Sequence, residues 1–176
     1  MKRFVVTAVM LLSSAMLFIT PVSGDDSIEV PVKGMWSGTD YAVGHCTNGA
    51  DLVVNVGKGV STIGGKSDLL SVSCLDCTRF PSCSSSGWMI LTASNGDVLH
   101  LEVIGTFNLL DGSWTEEEEV VGGTGRFESA EGHGTTTGRF IFSSDLFPFD
   151  ADPSIPPDLL REPSSWVGTT EGWITY

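Results

Sequence analysis

Short stretches rich in β-branched and aromatic residues, separated by glycine-containing turns, occupy most of this chain. In one of them, Leu99, Leu101 and Val103 take every second position. The polar residues His100 and Glu102 lie between them. Because successive side chains of a strand point to opposite sides, this alternation predicts a strand with one apolar face. Apolar positions at helical spacing are almost absent, so the pattern indicates an all-β protein.

Eight such stretches can be separated, and a strand is expected in each of them: 32–41, 51–61, 66–73, 87–94, 97–107, 112–121, 134–142 and 167–176. The turns Asn95-Gly96-Asp97 and Asp111-Gly112 are typical of hairpins whose residues adopt positive φ. They link the fourth, fifth and sixth strands in an up-and-down, antiparallel order.

The first and last strands resemble each other, which favours a closed barrel over an open sandwich. Residues 35–39 read Met-Trp-Ser-Gly-Thr, and residues 166–169 read Trp-Val-Gly-Thr. Matched terminal strands suit a sheet whose two edges meet, and closure removes the edges that invite aggregation. The predicted fold is therefore one domain, an eight-stranded antiparallel closed β-barrel.

The N-terminus has the pattern of a secretory signal peptide. Lys2 and Arg3 precede an almost wholly apolar run over residues 4–19, and Val22-Ser23-Gly24 supplies small or compact residues. A membrane anchor is the alternative, but a spanning helix needs roughly 20 apolar residues. We expect cleavage after residue 24, a barrel domain over 25–176, no stable membrane insertion afterwards, and an extracellular or periplasmic location.

The charge excludes some partners. The full chain has a formal net charge of −13, and removal of Lys2 and Arg3 with a leader that holds no acidic residue makes it −15. Nucleic-acid binding depends on basic side chains that neutralise phosphates. The remaining basic residues are scattered, so nucleic acid and anionic membranes are not expected partners.

The four cysteines predict two structural disulfides, because an even count in an exported chain usually forms bridges. They are Cys46, Cys74, Cys77 and Cys83, and three pairings are possible. One disulfide with free thiols, or a metal or redox site, are the alternatives, but a second Cys-x2-Cys of a zinc motif is missing. We expect the bridges to hold an irregular cysteine-rich loop over 74–87.

Two other segments depart from the strand pattern. The connection 147–163 is rich in proline and is expected to be extended, with a helical turn at 158–161 and aromatic residues over one barrel end. Residues 122–127 form a glycine-rich corner, with positive φ expected at its glycines. Its members are Gly122, Gly123, Thr124, Gly125, Arg126 and Phe127. A dinucleotide loop is not favoured, because the third glycine and the βαβ frame are missing.

The segment 121–127, with the following glutamate-flanked small residues and Gly132, resembles the strand-turn-strand motif of dirigent proteins and allene oxide cyclase-like barrels. Residues 59–66 are similar to a step in an early strand of those barrels, and similar segments occur in secreted bacterial proteins. The resemblance covers most of 32–176. It implies an eight-stranded calycin-like barrel, and a homo-oligomer, which is a trimer in many plant members. It carries over no catalytic residue.

The acidic run Glu116-Glu117-Glu118-Glu119 lies in a predicted strand, so Glu116 and Glu118 share one face. The favoured interpretation is that one pair is solvated and the other lies near the rim or opposite Arg126 and Arg139, since burying unpaired carboxylates is costly. The alternative is an inward pair that acts as general acid and base. His100 with Glu102 is a second candidate pair, and Trp114 is a candidate ligand-binding residue.

No triad, nucleotide loop or complete metal motif is present in the sequence, so neither a cofactor nor a metal is predicted. The five tryptophans are expected mainly in the barrel core. We expect a non-catalytic secreted protein that binds a small apolar ligand or acts in an extracellular interaction. The alternatives are a cyclase- or dirigent-like activity in the barrel cavity and a structural envelope or extracellular component.

Overall fold

The computed structural model of the protein describes residues 28–141 and 164–176. The predicted leader 1–24, the proline-rich connection 147–163 and its helical turn lie outside the described residues. The strands are β1 (Glu29–His45), β2 (Asp51–Ser61), β3 (Gly65–Arg79), β4 (Ser82–Ala93), β5 (Val98–Asn108), β6 (Ser113–Gly123), β7 (Glu131–Ile141) and β8 (Ser164–Thr175). A short 3₁₀ helix, Gly125–Phe127, follows β6. In this part of the chain, no helix is long and apolar enough to cross a membrane.

The eight strands form a closed antiparallel barrel in which each strand pairs with the next and β8 pairs with β1. The prediction of an eight-stranded closed barrel is confirmed. The two similar terminal segments lie side by side, with Trp36 opposite Gly168 and Gly38 opposite Trp166. Gly38 leaves room for the indole ring of Trp166, and Gly168 leaves room for that of Trp114.

The expectation of an irregular loop over 74–87 is wrong. Residues of this segment extend β3 and β4, with Cys74 opposite Ser86 and Asp76 opposite Ser84. Serine is not a strong strand former, but backbone pairing across the hairpin and a crowded interior that accepts only small side chains override that preference. Ser85, for example, is 3% exposed on the inner face.

Both predicted disulfides are present, Cys46–Cys74 and Cys77–Cys83. They lie at the end of the barrel that carries the turns 46–50, 80–81 and 109–112, which we call the disulfide end. The opposite end carries the turns 62–64 and 94–97 and the segment 124–130, and we call it the corner end. Two disulfides are typical of proteins from oxidising compartments.

The glycine-rich corner closes the corner end with a buried aromatic ring. Phe127 is 1% exposed, and Arg126 stays at the surface, where its Nε lies 3.6 Å from Asp97 Oδ2. Positive φ is found at Gly122 (+107°) and Gly125 (+60°) but not at Gly123. Gly123 is required for a different reason, since a Cβ atom there would lie 2.0 Å from the Val98 carbonyl oxygen.

Three of the five tryptophans point into the barrel, and each lies against a glycine of a neighbouring strand. The pairs are Trp36 with Gly59, Trp114 with Gly138, and Trp166 with Gly38. A Cβ atom at any of these glycines would lie 2.2 to 2.5 Å from the indole ring. The other two tryptophans lie on the outer face, with Trp88 exposed and Trp173 packed on His133 at 4.8 Å between ring centroids.

Candidate functional site

The acidic run of β6 places two carboxyl groups inside the barrel. Glu116 and Glu118 are each 7% exposed, whereas Glu117 and Glu119 lie on the outer face. The favoured expectation, a rim position or pairing with Arg126 and Arg139, is wrong. The alternation of β6 is set by Trp114 and Val120, whose large side chains face the core, and the residues between them at every second position must follow.

Glu118 is the final acceptor of a chain of hydrogen bonds that links four strands. Trp36 Nε1 donates to Thr170 Oγ1 at 3.0 Å, and the Thr170 and Thr136 hydroxyls are hydrogen-bonded to each other. The Thr136 hydroxyl donates to Glu118 Oε1. When the Glu118 carboxyl group is ionised it can only accept, so the Thr136 proton is directed to it, Thr170 donates to Thr136, and every donor in the chain points towards Glu118.

The room for this chain comes from glycines that flank both threonines. The inner faces of β7 and β8 read Gly134, Thr136, Gly138 and Gly168, Thr170, Gly172. In the register, the two threonines lie opposite each other and each glycine lies opposite a glycine. A Cβ atom at Gly134 would lie 3.3 Å from Glu118 Oε2, so this glycine leaves space for the carboxyl group.

Glu116 lies closer to the disulfide end, where its carboxyl group receives no hydrogen bond from any described residue. Gly105 of β5 lies between Glu116 of β6 and Ser85 of β4 in the sheet. A Cβ atom at Gly105 would lie 2.8 Å from Glu116 Cγ and 2.6 Å from Ser85 Oγ. The Ser85 hydroxyl is buried and has no hydrogen-bond partner within the described ranges. Gly105 thus leaves a small polar niche between the two side chains.

Burial raises the pKa of both carboxyl groups. The pKa of Glu116 rises from 4.5 to about 7, mainly because the site is desolvated and further because Glu118 is close. The pKa of Glu118 also rises to about 7 through desolvation, against the lowering effect of the Thr136 hydrogen bond. Among the described residues that line the cavity, none is lysine or arginine. Each carboxyl group is therefore partly protonated near neutral pH.

A cavity of about 60 Å³ adjoins the two carboxyl groups. Its apolar wall includes Leu69, Met89 and Leu101. Its polar lining includes the carboxyl groups, the paired threonines, and Asn55, Ser61, Ser71 and His133. An apolar pocket with a few convergent polar groups is the usual form of a small-molecule site.

Four aromatic rings cluster at the disulfide end of the cavity. Phe107 stacks near Phe140 and Trp114, with ring centroids 5.5 and 6.4 Å away, and Trp166 meets Trp114 edge-on at 6.0 Å. We call these four residues the aromatic cluster. The Nε1 atoms of Trp114 and Trp166 are buried and have no acceptor within residues 28–141 and 164–176. Two indole donors are thus left without a partner in the cavity that Glu116 also lines.

The structure separates the candidates that the sequence predicted. Trp114, Glu116 and Glu118 are brought together in the cavity, at successive inward positions of β6. His100 and Glu102 lie exposed on the outer face of β5, because the intervening Leu99, Leu101 and Val103 occupy the interior. They contribute no side chain to the carboxyl pair.

Thr136, Thr170 and Trp36 were not among the site residues predicted from the sequence. The repeated spacing Gly-x-Thr-x-Gly in β7 and β8 was the available signal. Because side chains two residues apart in a strand share a face, this spacing places a glycine on each side of the threonine hydroxyl. The two glycines leave room for a neighbouring carboxyl group.

Within the described part of the chain, no group of three or more histidine, cysteine or acidic side chains could hold a metal ion. Comparison with known proteins gives no further guide, because no protein-family model and no curated protein matches this chain.

Proposed function

We propose that this protein is a secreted binding protein that holds a small molecule inside its barrel without changing it chemically. The observation that carries the proposal is the cavity in which two buried carboxyl groups and two unpartnered indole donors converge. Secretion is supported by the leader-like N-terminus and by the two disulfides.

A purely structural barrel has no need of this interior. Burying a carboxyl group costs free energy, and an unpaired buried donor costs about 1–3 kcal/mol. The same positions filled with leucine or valine would give a more stable core. Polar groups that reduce stability and face a cavity are what a binding site requires, because a ligand supplies their missing partners.

The cavity walls offer apolar contacts to a ligand. Leu69, Met89 and Leu101 provide aliphatic contact, and the aromatic cluster provides flat surfaces at the disulfide end. The buried carboxyl groups amend the expectation of a wholly apolar ligand. A ligand that fits this interior is apolar over part of its surface and polar where it meets β6.

The test is a binding screen on the mature protein, with native mass spectrometry and tryptophan fluorescence as readouts. Three tryptophans border the cavity on the inside, so an interior ligand should change their emission. The Ser71→Leu variant should abolish binding, because Ser71 is 3% exposed and faces the cavity. Val72→Leu is the matched control, since Val72 lies on the outer face of the same strand.

The proposal would be refuted if the filled Ser71→Leu variant, folded by circular dichroism, bound every ligand as the parent does. Failure of neutral, cationic and anionic small molecules alike to bind the parent would also refute it. That result would favour the structural role outside the cell.

A second candidate, acid–base catalysis in the cavity as in the cyclase- and dirigent-like proteins that the sequence resembles, is favoured by one observation. Glu116 and Glu118 both have a pKa of about 7, near the value that suits proton transfer at neutral pH. Turnover of a bound ligand that is lost in Glu118→Gln, with binding retained, would support catalysis. Recovery of every ligand unchanged from the parent would exclude it for those ligands.

A further inference from the structure

We infer that the ligand of the barrel is a small protonated amine that also carries an oxygen acceptor. The inference rests on the proposed binding function and names its ligand class. It follows from four features of the cavity: its uncompensated carboxyl pair, the adjoining aromatic cluster, the two unpartnered indole donors and its size.

The carboxyl pair has no cationic partner in the described protein. The four ion pairs of these residues involve Glu171, Asp51, Asp68 and Asp97, and none includes Glu116 or Glu118. Two neighbouring buried carboxyl groups without a counter-charge repel each other once both ionise. A bound ammonium group would supply the missing charge, and each of its three N–H donors could reach a carboxyl oxygen.

The aromatic cluster adds a second attraction for a cation. Trp114 and Glu116 occupy successive inward positions of β6, so an ammonium group at the Glu116 carboxyl lies beside an indole ring. Trp166 meets that ring edge-on at 6.0 Å, which turns the faces of the two indoles in different directions. Cations are attracted to aromatic faces, most strongly to tryptophan and more so in a desolvated site.

The indole donors require an acceptor that an ammonium group does not have. Trp114 is 6% and Trp166 is 5% exposed, and the Nε1 atom of each is unpartnered among the described residues. By contrast, Trp36 Nε1 is satisfied by Thr170. A hydroxyl or ether oxygen on the ligand would accept from the unpartnered indoles, and a purely hydrocarbon amine would leave them unsatisfied.

The cavity limits the size of such a ligand. A cavity of about 60 Å³ suits a ligand of only a few non-hydrogen atoms. Ethanolamine, with four, has the required ammonium and hydroxyl groups. The net charge of the chain, −13, also favours the approach of a cation over that of an anion.

The test is isothermal titration calorimetry on the mature protein at pH 7.5 with four probes of nearly equal size: ethanolamine, propylamine, ethylene glycol and glycolate. Ethanolamine should bind at least tenfold more tightly than propylamine, which lacks the oxygen. Neutral ethylene glycol and anionic glycolate should bind more weakly still. Binding of the amine should also release protons, seen as a heat that depends on the ionisation enthalpy of the buffer, because the cation favours the ionised carboxyl groups.

The double variant Glu116→Gln/Glu118→Gln should lose at least tenfold in ethanolamine affinity. Glu117→Gln/Glu119→Gln is the matched control, since it removes the same charge from the outer face of the same strand and should bind as the parent does. Trp166→Phe should narrow the preference for ethanolamine over propylamine, because it removes an indole donor and keeps an aromatic ring. Circular dichroism confirms that each variant is folded.

The outcomes separate the inference from the function on which it rests. If ethylene glycol or a larger neutral compound binds inside the barrel as tightly as ethanolamine, and the Glu→Gln pair has no effect, the amine assignment is wrong and the binding function stands. If no probe or neutral compound binds and the Ser71→Leu variant changes nothing, both are wrong.

Discussion

The buried carboxyl pair predicts an unusual dependence of stability on pH. The pKa of Glu116 and of Glu118 is about 7 in the folded protein and 4.5 in its ordinary environment. Between these values the folded state holds more protons than the unfolded state, so the free energy of unfolding falls as the pH rises. The stability due to the protonated pair is complete below pH 4.5 and is lost as the pH rises through 7.

The magnitude follows from the linkage between pKa and free energy. At 1.36 kcal/mol per pH unit, a carboxyl group whose pKa lies at about 7 instead of 4.5 destabilises the protein by roughly 3 kcal/mol when fully ionised. The two effects are not additive, because the charge of Glu118 contributes to the raised pKa of Glu116. We therefore expect a loss of about 3 kcal/mol or more from pH 4.5 to pH 8.5.

The assay is urea unfolding followed by tryptophan fluorescence at pH 4.5, 6, 7 and 8.5. Glu116→Gln/Glu118→Gln should flatten the profile and exceed the parent in stability at pH 8.5 by about 3 kcal/mol, while the two proteins are similar at pH 4.5. Glu117→Gln/Glu119→Gln controls for the general repulsion among acidic groups and should keep most of the slope. A parent profile that rises from pH 4.5 to 8.5, or equal slopes for the two double variants, would refute the reasoning.

Four further predictions follow from the described contacts. Thr136→Val should raise the pKa of Glu118 further, because the Thr136 hydroxyl donates a hydrogen bond to the Glu118 carboxyl group and lowers its pKa. A ¹³C titration of labelled glutamate would measure the change, and an unchanged pKa would contradict the prediction. Loss of the Cys46–Cys74 bridge, whose cysteines are 28 residues apart, should lower the free energy of unfolding by about 3–4 kcal/mol. Loss of the Cys77–Cys83 bridge, whose cysteines are 6 residues apart, should lower it by about 2 kcal/mol. Equal urea midpoints for both variants and the parent would contradict a structural role. Gly123→Ala should destabilise the barrel by more than 2 kcal/mol through its clash with the Val98 carbonyl, whereas exposed Val121→Ala should have an effect within about 0.5 kcal/mol, as thermal melting would show. The outer face of β1–β3 exposes Met35 beside Val60 and Val56 beside Leu70. If the predicted homo-oligomer forms through this face, the double variant Val56→Lys/Leu70→Lys should be a monomer by light scattering. An unchanged mass would exclude this interface.

The inward position of Glu116 and Glu118 could not be predicted from the free-energy cost of burying a carboxyl group. Sequence reasoning disfavoured an inward pair because buried charges are expensive, and that general cost is real. The structure reduces it locally, since Gly134 and Gly105 leave space beside the two carboxyl groups and Thr136 donates to Glu118. The relevant partners are 16 and 18 residues away in β7 for Glu118, and on β5 for Glu116, so only the register of the strands brings them together.

For the glycine-rich corner, too, the sequence predicted the position but not the physical role of each glycine. The sequence located the corner at 122–127, and the structure confirms it, with positive φ at Gly122 and Gly125 and a 3₁₀ helix over Gly125–Phe127. The sequence also assigned positive φ to Gly123, but the backbone twist falls on Gly122 and Gly125 instead. Residue type shows that a position tolerates no side chain, whereas the physical cause, a backbone angle or a neighbouring atom, depends on the packed structure.

From the sequence, alternation and glycine-containing turns predicted the strands and hairpins, and the similarity of segments 35–39 and 166–169 indicated closure of the barrel. The continuation of β3 and β4 through 74–87 was not predicted. The sequence also determined that alternate glutamates of β6 lie on opposite faces. The packed barrel was needed to show which face is the inner one and which hydroxyls, indoles and carboxyl groups meet there. The reason is that these groups come from strands up to 134 residues apart, as for Trp36 and Thr170, and their contact depends on how the sheet closes.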